Sequence, residues 1–132
     1  MTADNFRTIW LSKEDPAVVQ VIDQRRLPHE YRVHDLRTWQ DAVTAIADMY
    51  VRGAPLIGAT AAWGIYLAAL ADSSRMAVLT AADALHQARP TAVNLRWAIE
   101  RMCALASETD DESLVDALRG EAQAICDEDV EI

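Results

Sequence analysis

The chain has 132 residues, 52% of them hydrophobic, and a formal net charge of −9, which suits one ordinary domain with a sizeable core. The charge is local: residues 1–106 carry 11 acidic and 11 basic side chains, whereas residues 107–132 carry ten acids against Arg119 alone. This balance excludes attraction to nucleic acid or to an anionic membrane through the overall field, and leaves room for a locally cationic pocket.

The first ~36 residues read as strands. No basic region followed by an apolar run occurs in Met1-Thr2-Ala3-Asp4-Asn5, so no secretory signal is expected and the expected location is the cytoplasm. Phe6, Thr8 and Trp10 alternate with Arg7, Ile9 and Leu11. Lys13-Glu14-Asp15-Pro16 is turn chemistry, and Val18, Val19, Val21 and Ile22 supply a second β-branched run. A third strand is expected over Tyr31-Arg32-Val33-His34-Asp35-Leu36, after a loop in which Arg25 and Arg26 are solvated charges. Short connections favour antiparallel pairing.

From Thr38 the period becomes helical. Thr38 is an N-cap, and Trp39, Ala42, Val43, Ile46, Met49 and Tyr50 recur at helical spacing. The next segment, Arg52-Gly53-Ala54-Pro55-Leu56-Ile57-Gly58, sets a cation and two small residues before a long uncharged helix. Pro55 fits the first helical turn, where its missing N–H would be unpaired anyway, so the helix is expected to start near Ala54. Its unpaired N–H groups and the positive end of its dipole point back toward Gly53, whose lack of a Cβ lets a phosphate approach. Arg52 adds a planar fork of donors suited to phosphate oxygens.

Residues 53–71 form an uncharged run of nineteen, long enough to raise the question of a membrane span. Seven are alanine and three glycine, however, a composition that transfers poorly into lipid and instead lets neighbouring helices pack closely. A buried central helix is expected, flanked by helices that cover it. Asp72-Ser73-Ser74 ends it and caps a helix carrying Met76, Leu79, Ala82 and Leu85. The segment Arg89-Pro90-Thr91-Ala92-Val93-Asn94-Leu95 then repeats the earlier arrangement, with an arginine, a proline and Thr91 as the expected N-cap. Two such helix entrances can converge on one ligand. An apolar stripe follows at Leu95, Ala98, Ile99, Met102, Cys103 and Ala106. The last helix is expected to start at Thr109-Asp110-Asp111-Glu112 and to bury Leu114, Val115, Leu118, Ala122 and Ile125, with no stop signal before Ile132, so the chain ends inside it. The fold class expected is thus α+β, one domain over residues 1–132, with about three antiparallel strands over 6–36 and a helical bundle over 38–132.

Two other chemistries are excluded. Gly53-Ala54-Pro55-Leu56-Ile57-Gly58-Ala59-Thr60 has the glycines and hydroxyl of a nucleotide phosphate loop, but Ala59 stands where its lysine belongs. Cys103 and Cys126 lie among apolar neighbours without a Cys-x-x-Cys pair, and His29, His34 and His86 lack metal-ligand spacing with them. No metal, redox centre or cofactor is expected, and Met49, Met102 and Trp97 are core residues by pattern.

Tyr50-Val51-Arg52-Gly53-Ala54-Pro55 and Arg89-Pro90-Thr91-Ala92-Val93-Asn94-Leu95 closely resemble the N-terminal signatures of the methylthioribose-1-phosphate isomerase family. The resemblance begins at Phe6-Arg7-Thr8-Ile9-Trp10, continues through Ile22-Asp23-Gln24-Arg25-Arg26-Leu27-Pro28 and reaches Glu128-Asp129. Ribose-1,5-bisphosphate isomerases and the regulatory subunits of the translation-initiation exchange factor share these motifs, and the run at Arg89 looks most like the isomerase branch. The resemblance implies aldose-to-ketose isomerisation of 5-methylthioribose 1-phosphate in methionine salvage. It also implies a full-length homodimer and a second, Rossmann-like domain absent from this chain. By motif position, Arg52, Gly53 and Ala54 contact the substrate and Arg89 adds a second guanidinium, while Thr91 and Asn94 cap or support. The family's catalytic cysteine and aspartate belong to the second domain, in Thr-x-Cys-Asn and Asp-Asn contexts that do not occur here. No catalytic residue is therefore expected in this chain, and these residues alone should be inactive. The alternative implied is a non-catalytic assembly or ligand-sensing module, as in the exchange-factor subunits, or an isomerase of another ribose phosphate.

Overall fold

Alternation in the first segments and helical spacing after Thr38 produce the two layers that the sequence predicts. A computed structural model describes residues 9–22, 33–48, 54–110 and 112–130. The class is α+β: strands β1 (Ile9–Leu11), β2 (Val19–Ile22) and β3 (Val33–Leu36), then helices α1 (Trp39–Ala47), α2 (Ala54–Ala71), α3 (Arg75–Ala88), α4 (Val93–Glu108) and α5 (Leu114–Val130). The expected strand residues 6–8, Tyr31 and Arg32, the loop arginines Arg25 and Arg26, and the helical positions Met49 and Tyr50 lie outside the described residues.

The strands form an antiparallel sheet in the order β1-β2-β3. Side chains close the first turn: the Ser12 hydroxyl accepts from the N–H groups of Glu14 and Asp15 at 3.3 Å each, and Asp15 Oδ1 accepts from the Ala17 N–H at 2.9 Å. The register sets Trp10 opposite Gln20 and Gln20 opposite Asp35. There the indole N–H donates to Gln20 Oε1 (2.9 Å), the Gln20 amide donates to Asp35 Oδ1 (3.1 Å), and Arg37 donates to Asp35 Oδ2 (3.2 Å). The other face, with Ile9, Val19, Val21 and Leu36, is buried against the helices.

Helix α1 starts as expected at Thr38, whose hydroxyl accepts from the Asp41 N–H while Asp41 accepts from the Thr38 N–H, each at 3.2 Å. This reciprocal cap satisfies two orphan donors at once. Helix α2 is the centre of the bundle: every residue from Leu56 to Ala69 is buried, and the other four helices all pack on it. Its glycines set the spacing. A Cβ on Gly64 would lie 2.9 Å from the Ala42 Cβ of α1 and 3.2 Å from Leu85 Cδ1 of α3; one on Gly58 would lie 3.1 Å from the Asn94 carbonyl oxygen of α4. Tyr66 donates its hydroxyl to the Pro16 carbonyl at 2.5 Å, tying α2 to the first turn, and its ring meets Trp63 edge-on at 5.5 Å. No helix among the described residues is long and apolar enough to cross a membrane.

Three expectations are corrected. Trp97, a core residue by pattern, is 45% exposed on α4, with the Arg101 guanidinium over its ring at 5.3 Å. The buried stripe of α3 is Val78, Ala81, Ala82 and Leu85, while Met76 and Leu79 are exposed by 74% and 49%. Leu85 fixes the phase because it meets Gly64; alanines fill the tight interface and the larger side chains turn outward. Helix α5 starts at Leu114, later than expected, because Asp110 forms a turn first, accepting the Ser113 N–H on both its carbonyl (3.2 Å) and its carboxylate (2.9 Å). The stripe of α5 is buried as expected at Leu114, Leu118, Ala122 and Ile125, whereas Val115 is half-buried at its edge. Arg101 and Glu121 join α4 to α5 at 2.6 Å.

Links of three to five residues run between α2 and α3, α3 and α4, and α4 and α5, and connections that short make consecutive helices antiparallel. Helices α2 and α4 therefore run one way and α3 and α5 the other. The approach of Gly58 to Asn94, both near their helix starts, agrees.

The same substitution should have opposite signs at two glycines. Gly64→Ala should destabilise by about 1–3 kcal/mol, since overpacking outweighs a propensity gain of about 1 kcal/mol. Gly120→Ala, with nothing within 4 Å of the added carbon, should stabilise by about 0.5–1 kcal/mol. Urea unfolding of both variants checks the pair.

Burial raises the Tyr66 phenol above its ordinary value of 10.0; the Arg119 charge opposes this, and Asp116 and Asp15 reinforce it. Above pH 10 the unfolded chain ionises while the folded phenol keeps its proton, so stability falls between the ordinary and the raised value. Tyr66→Phe should cost about 1 kcal/mol at neutral pH through the lost hydrogen bond, and should remove this part of the alkaline decline in a pH series of unfolding midpoints.

Candidate functional site

The two helix entrances singled out in the sequence lie at one end of the bundle. Helix α2 begins at Ala54, as expected, and four residues later Gly58 touches the first turn of α4 at Asn94. Arg89 closes α3 at the same end, with φ −149° and ψ 79°. Its main chain is fixed by a turn in which the Ala92 N–H donates to the Arg89 carbonyl at 3.1 Å, with Pro90 at the turn position that its fixed φ suits. Its side chain is half-buried, and its Nε–H donates to the Ile46 carbonyl at 3.3 Å, in the last turn of α1. The stretch that follows α1 leads into α2, and Arg52 and Gly53 belong to it; both lie outside the described residues.

The N-cap of α4 corrects an expectation. The turn at Arg89–Ala92 moves the helix start one residue along, so Ala92 is the N-cap and Thr91 is an exposed turn residue. An alanine side chain cannot accept a hydrogen bond, and α4 starts with no side-chain cap. Its first N–H groups therefore keep the donor character that attracts anions. Asn94, expected as a capping or supporting group, is half-buried in the first turn, and the contact it makes through Gly58 is by its backbone.

The charges at this end partly oppose one another. The starts of α2 and α4 present positive dipole ends, while the ends of α1 and α3 present negative ones. Arg89 sits against both negative ends, at the close of α3 and within hydrogen-bond reach of α1. An anion here would meet one guanidinium and two helix starts. The arrangement can hold a phosphate or sugar oxygen, and among the described residues it offers no nucleophile.

The thiols are placed elsewhere. Cys126 is buried, with its Sγ 3.7 Å from the Ile9 carbonyl, and Cys103 is half-buried in α4, where burial pushes its thiol up from the ordinary value. A raised thiol is a poor nucleophile at neutral pH. Among the described residues no group of three or more His, Cys, Asp or Glu could hold a metal ion. Thr60, the hydroxyl of the false nucleotide loop, is buried and donates to the Leu56 carbonyl at 2.7 Å, and Gly58 serves helix packing. The partner that sequence reasoning missed is the Ile46 carbonyl. A backbone acceptor at a helix end has no side-chain signature by which to find it.

Comparison with known proteins agrees with this architecture. Residues 50–132 match the Initiation factor 2 subunit family. The methylthioribose-1-phosphate isomerase of Paramagnetospirillum magneticum is 50% identical over 124 residues, covering 94% of this chain and 34% of the relative. The protein of that name from Cereibacter sphaeroides is 47% identical over 127 residues, covering 96% and 34%. Among solved structures, 5-methylthioribose 1-phosphate isomerase from Pyrococcus horikoshii superimposes with a TM-score of 0.86 at 34% identity, over 99% of this chain and 40% of that one. The translation initiation factor eIF-2B delta subunit from A. fulgidus gives 0.85 at 35% identity, over 95% and 38%. The chain thus spans about a third of the length of the curated relatives it matches. It belongs to the initiation factor 2 subunit family, within which its sequence is similar to the methylthioribose-1-phosphate isomerases.

Proposed function

We propose that these residues form the substrate-gripping domain of an aldose–ketose isomerase that converts 5-methylthioribose 1-phosphate to 5-methylthioribulose 1-phosphate in methionine salvage. The observation that carries this reading is the convergence of the α2 and α4 starts beside Arg89, in a chain 50% identical to a methylthioribose-1-phosphate isomerase. Arg52 and Arg89 clamp phosphate and sugar oxygens, and the Gly53–Ala54 backbone approaches the same ligand at the head of α2. The partner is a small sugar phosphate, neither nucleic acid nor membrane, and the full-length enzyme works as a cytoplasmic homodimer.

The chemistry explains this division of labour. Phosphate on the anomeric oxygen blocks the free aldehyde, so the ring must open and hydrogen must move between C1 and C2 with the phosphate retained. Such a step needs a positioned acid and base in a water-poor site. The raised thiol of Cys103 and the covered Cys126 suit neither role, which fits the family resemblance, in which the acid–base pair belongs to the second domain. The grip contributed here acts on ground state and transition state alike, and its loss appears mainly in KM.

A second reading has its own support. The likeness to the eIF-2B delta subunit, at a TM-score of 0.85, fits an assembly or ligand-sensing module without turnover. Another ribose phosphate as substrate fits the same grip.

A chimera decides between these readings: the 132 residues replace the matching part of the Paramagnetospirillum isomerase. Turnover of 5-methylthioribose 1-phosphate is expected, with Arg52→Ala and Arg89→Ala each weakening substrate binding by ~1.5–3 kcal/mol. A folded chimera without turnover favours the sensing module, and unchanged affinity in both variants rejects the clamp. The 132 residues alone should show no isomerisation in the same assay; activity there would reject the placement of catalysis outside them.

A further inference from the structure

Arg89 differs from its fellow arginines in what it touches. Arg37, Arg96, Arg101 and Arg119 each pair with a carboxylate. Among the described residues no carboxylate pairs with Arg89; its single partner is a backbone oxygen, and that bond uses Nε. The main chain of the residue is held as well, by the turn bond from the Ala92 N–H. A guanidinium is planar and offers two bidentate edges, one made by Nε with an Nη and the other by the two Nη groups.

We infer that Arg89 is a braced guanidinium: the Ile46 carbonyl holds its Nε–H, so that an anion at the α2 and α4 starts is met end-on by Nη1 and Nη2. This rests on the substrate-gripping reading above and adds to it the positioning group, the last turn of α1. The brace removes side-chain freedom that a long, flexible cation would otherwise lose on binding. It also ties Arg89 to the end of α1, since Ile46 lies two residues before the C-cap Asp48, whose N–H is held by the Thr44 carbonyl at 2.8 Å. Lysine cannot reproduce the arrangement, having one ammonium and no second edge.

The test is nitrogen-15 NMR of the 132-residue chain, following arginine Nε–H exchange with water and its response to inorganic phosphate. Arg89 is assigned through its own backbone, with the loss of its signal in Arg89→Lys as a check. For a hydrogen bond of ordinary strength, its Nε–H should exchange about tenfold more slowly than that of the exposed Arg75. Phosphate should shift the Arg89 side-chain resonances and leave that protection intact. Exchange as fast as at Arg75 overturns the brace. A phosphate response that abolishes the protection also overturns it, since the ligand would then be taking the Nε edge, yet it leaves the anion site standing. Protection without any phosphate response makes Arg89 a helix cap alone, which overturns the end-on grip together with its share in the proposed function.

Discussion

Close approach of helices to α2 is the constraint from which the rest of the structure follows. At Gly64 a Cβ would lie only 2.9 Å from Ala42 of α1 and crowd Leu85 of α3, and at Gly58 the Asn94 carbonyl of α4 leaves a side chain only a tight fit. A helix approached on several sides needs small residues where its neighbours come nearest and apolar ones elsewhere, and the sequence from Leu56 to Ala69 supplies both. Polar groups in that stretch are satisfied locally or at its border. Thr60 bonds back to Leu56 and Tyr66 reaches Pro16, and only the Trp63 indole N–H is buried without a partner. Such a group costs free energy on burial, and the edge-on contact of its ring with Tyr66 works the other way.

The same closeness creates the candidate site. Because Gly58 admits the Asn94 carbonyl, the starts of α2 and α4 share one end of the bundle, and the short α3–α4 turn delivers Arg89 to it. Arg89 answers the negative ends of α1 and α3, and among the described residues no carboxylate pairs with its guanidinium. Under the proposed function a single cation would serve folding and binding together, which blurs any attempt to assign its energy to one of them. Alanine at the head of α4 fits this picture, since a serine or threonine there would fill the donors with its own oxygen.

Much of this was legible in the residues. Thr38 announced the start of α1, Pro55 the start of α2, and the alternating valines the sheet. The depth of α2 followed from its lack of charge and its small residues. The phase of α3 did not follow, because Met76 and Leu79 are as apolar as the residues that are buried; alanine at a tight interface outweighs methionine and leucine, and only the neighbour decides. Thr91 misled for a related reason, since a turn closed by backbone atoms can shift a helix start past a residue of the right capping type. Arg52 and Gly53 were marked by their order before Pro55, and Arg89 by the repetition of that order. The brace on Arg89 was not legible, because a main-chain oxygen is present in every residue and only the fold selects one.

The state of the two thiols has a practical consequence. With Cys126 covered and burial raising Cys103, neither native sulfur offers much thiolate to an electrophile near neutral pH. A cysteine introduced at Met76, which is exposed by 74% on the outer face of α3, would therefore outpace both in maleimide coupling. The bundle can carry a fluorophore or spin label at one chosen point without first being stripped of its own sulfur.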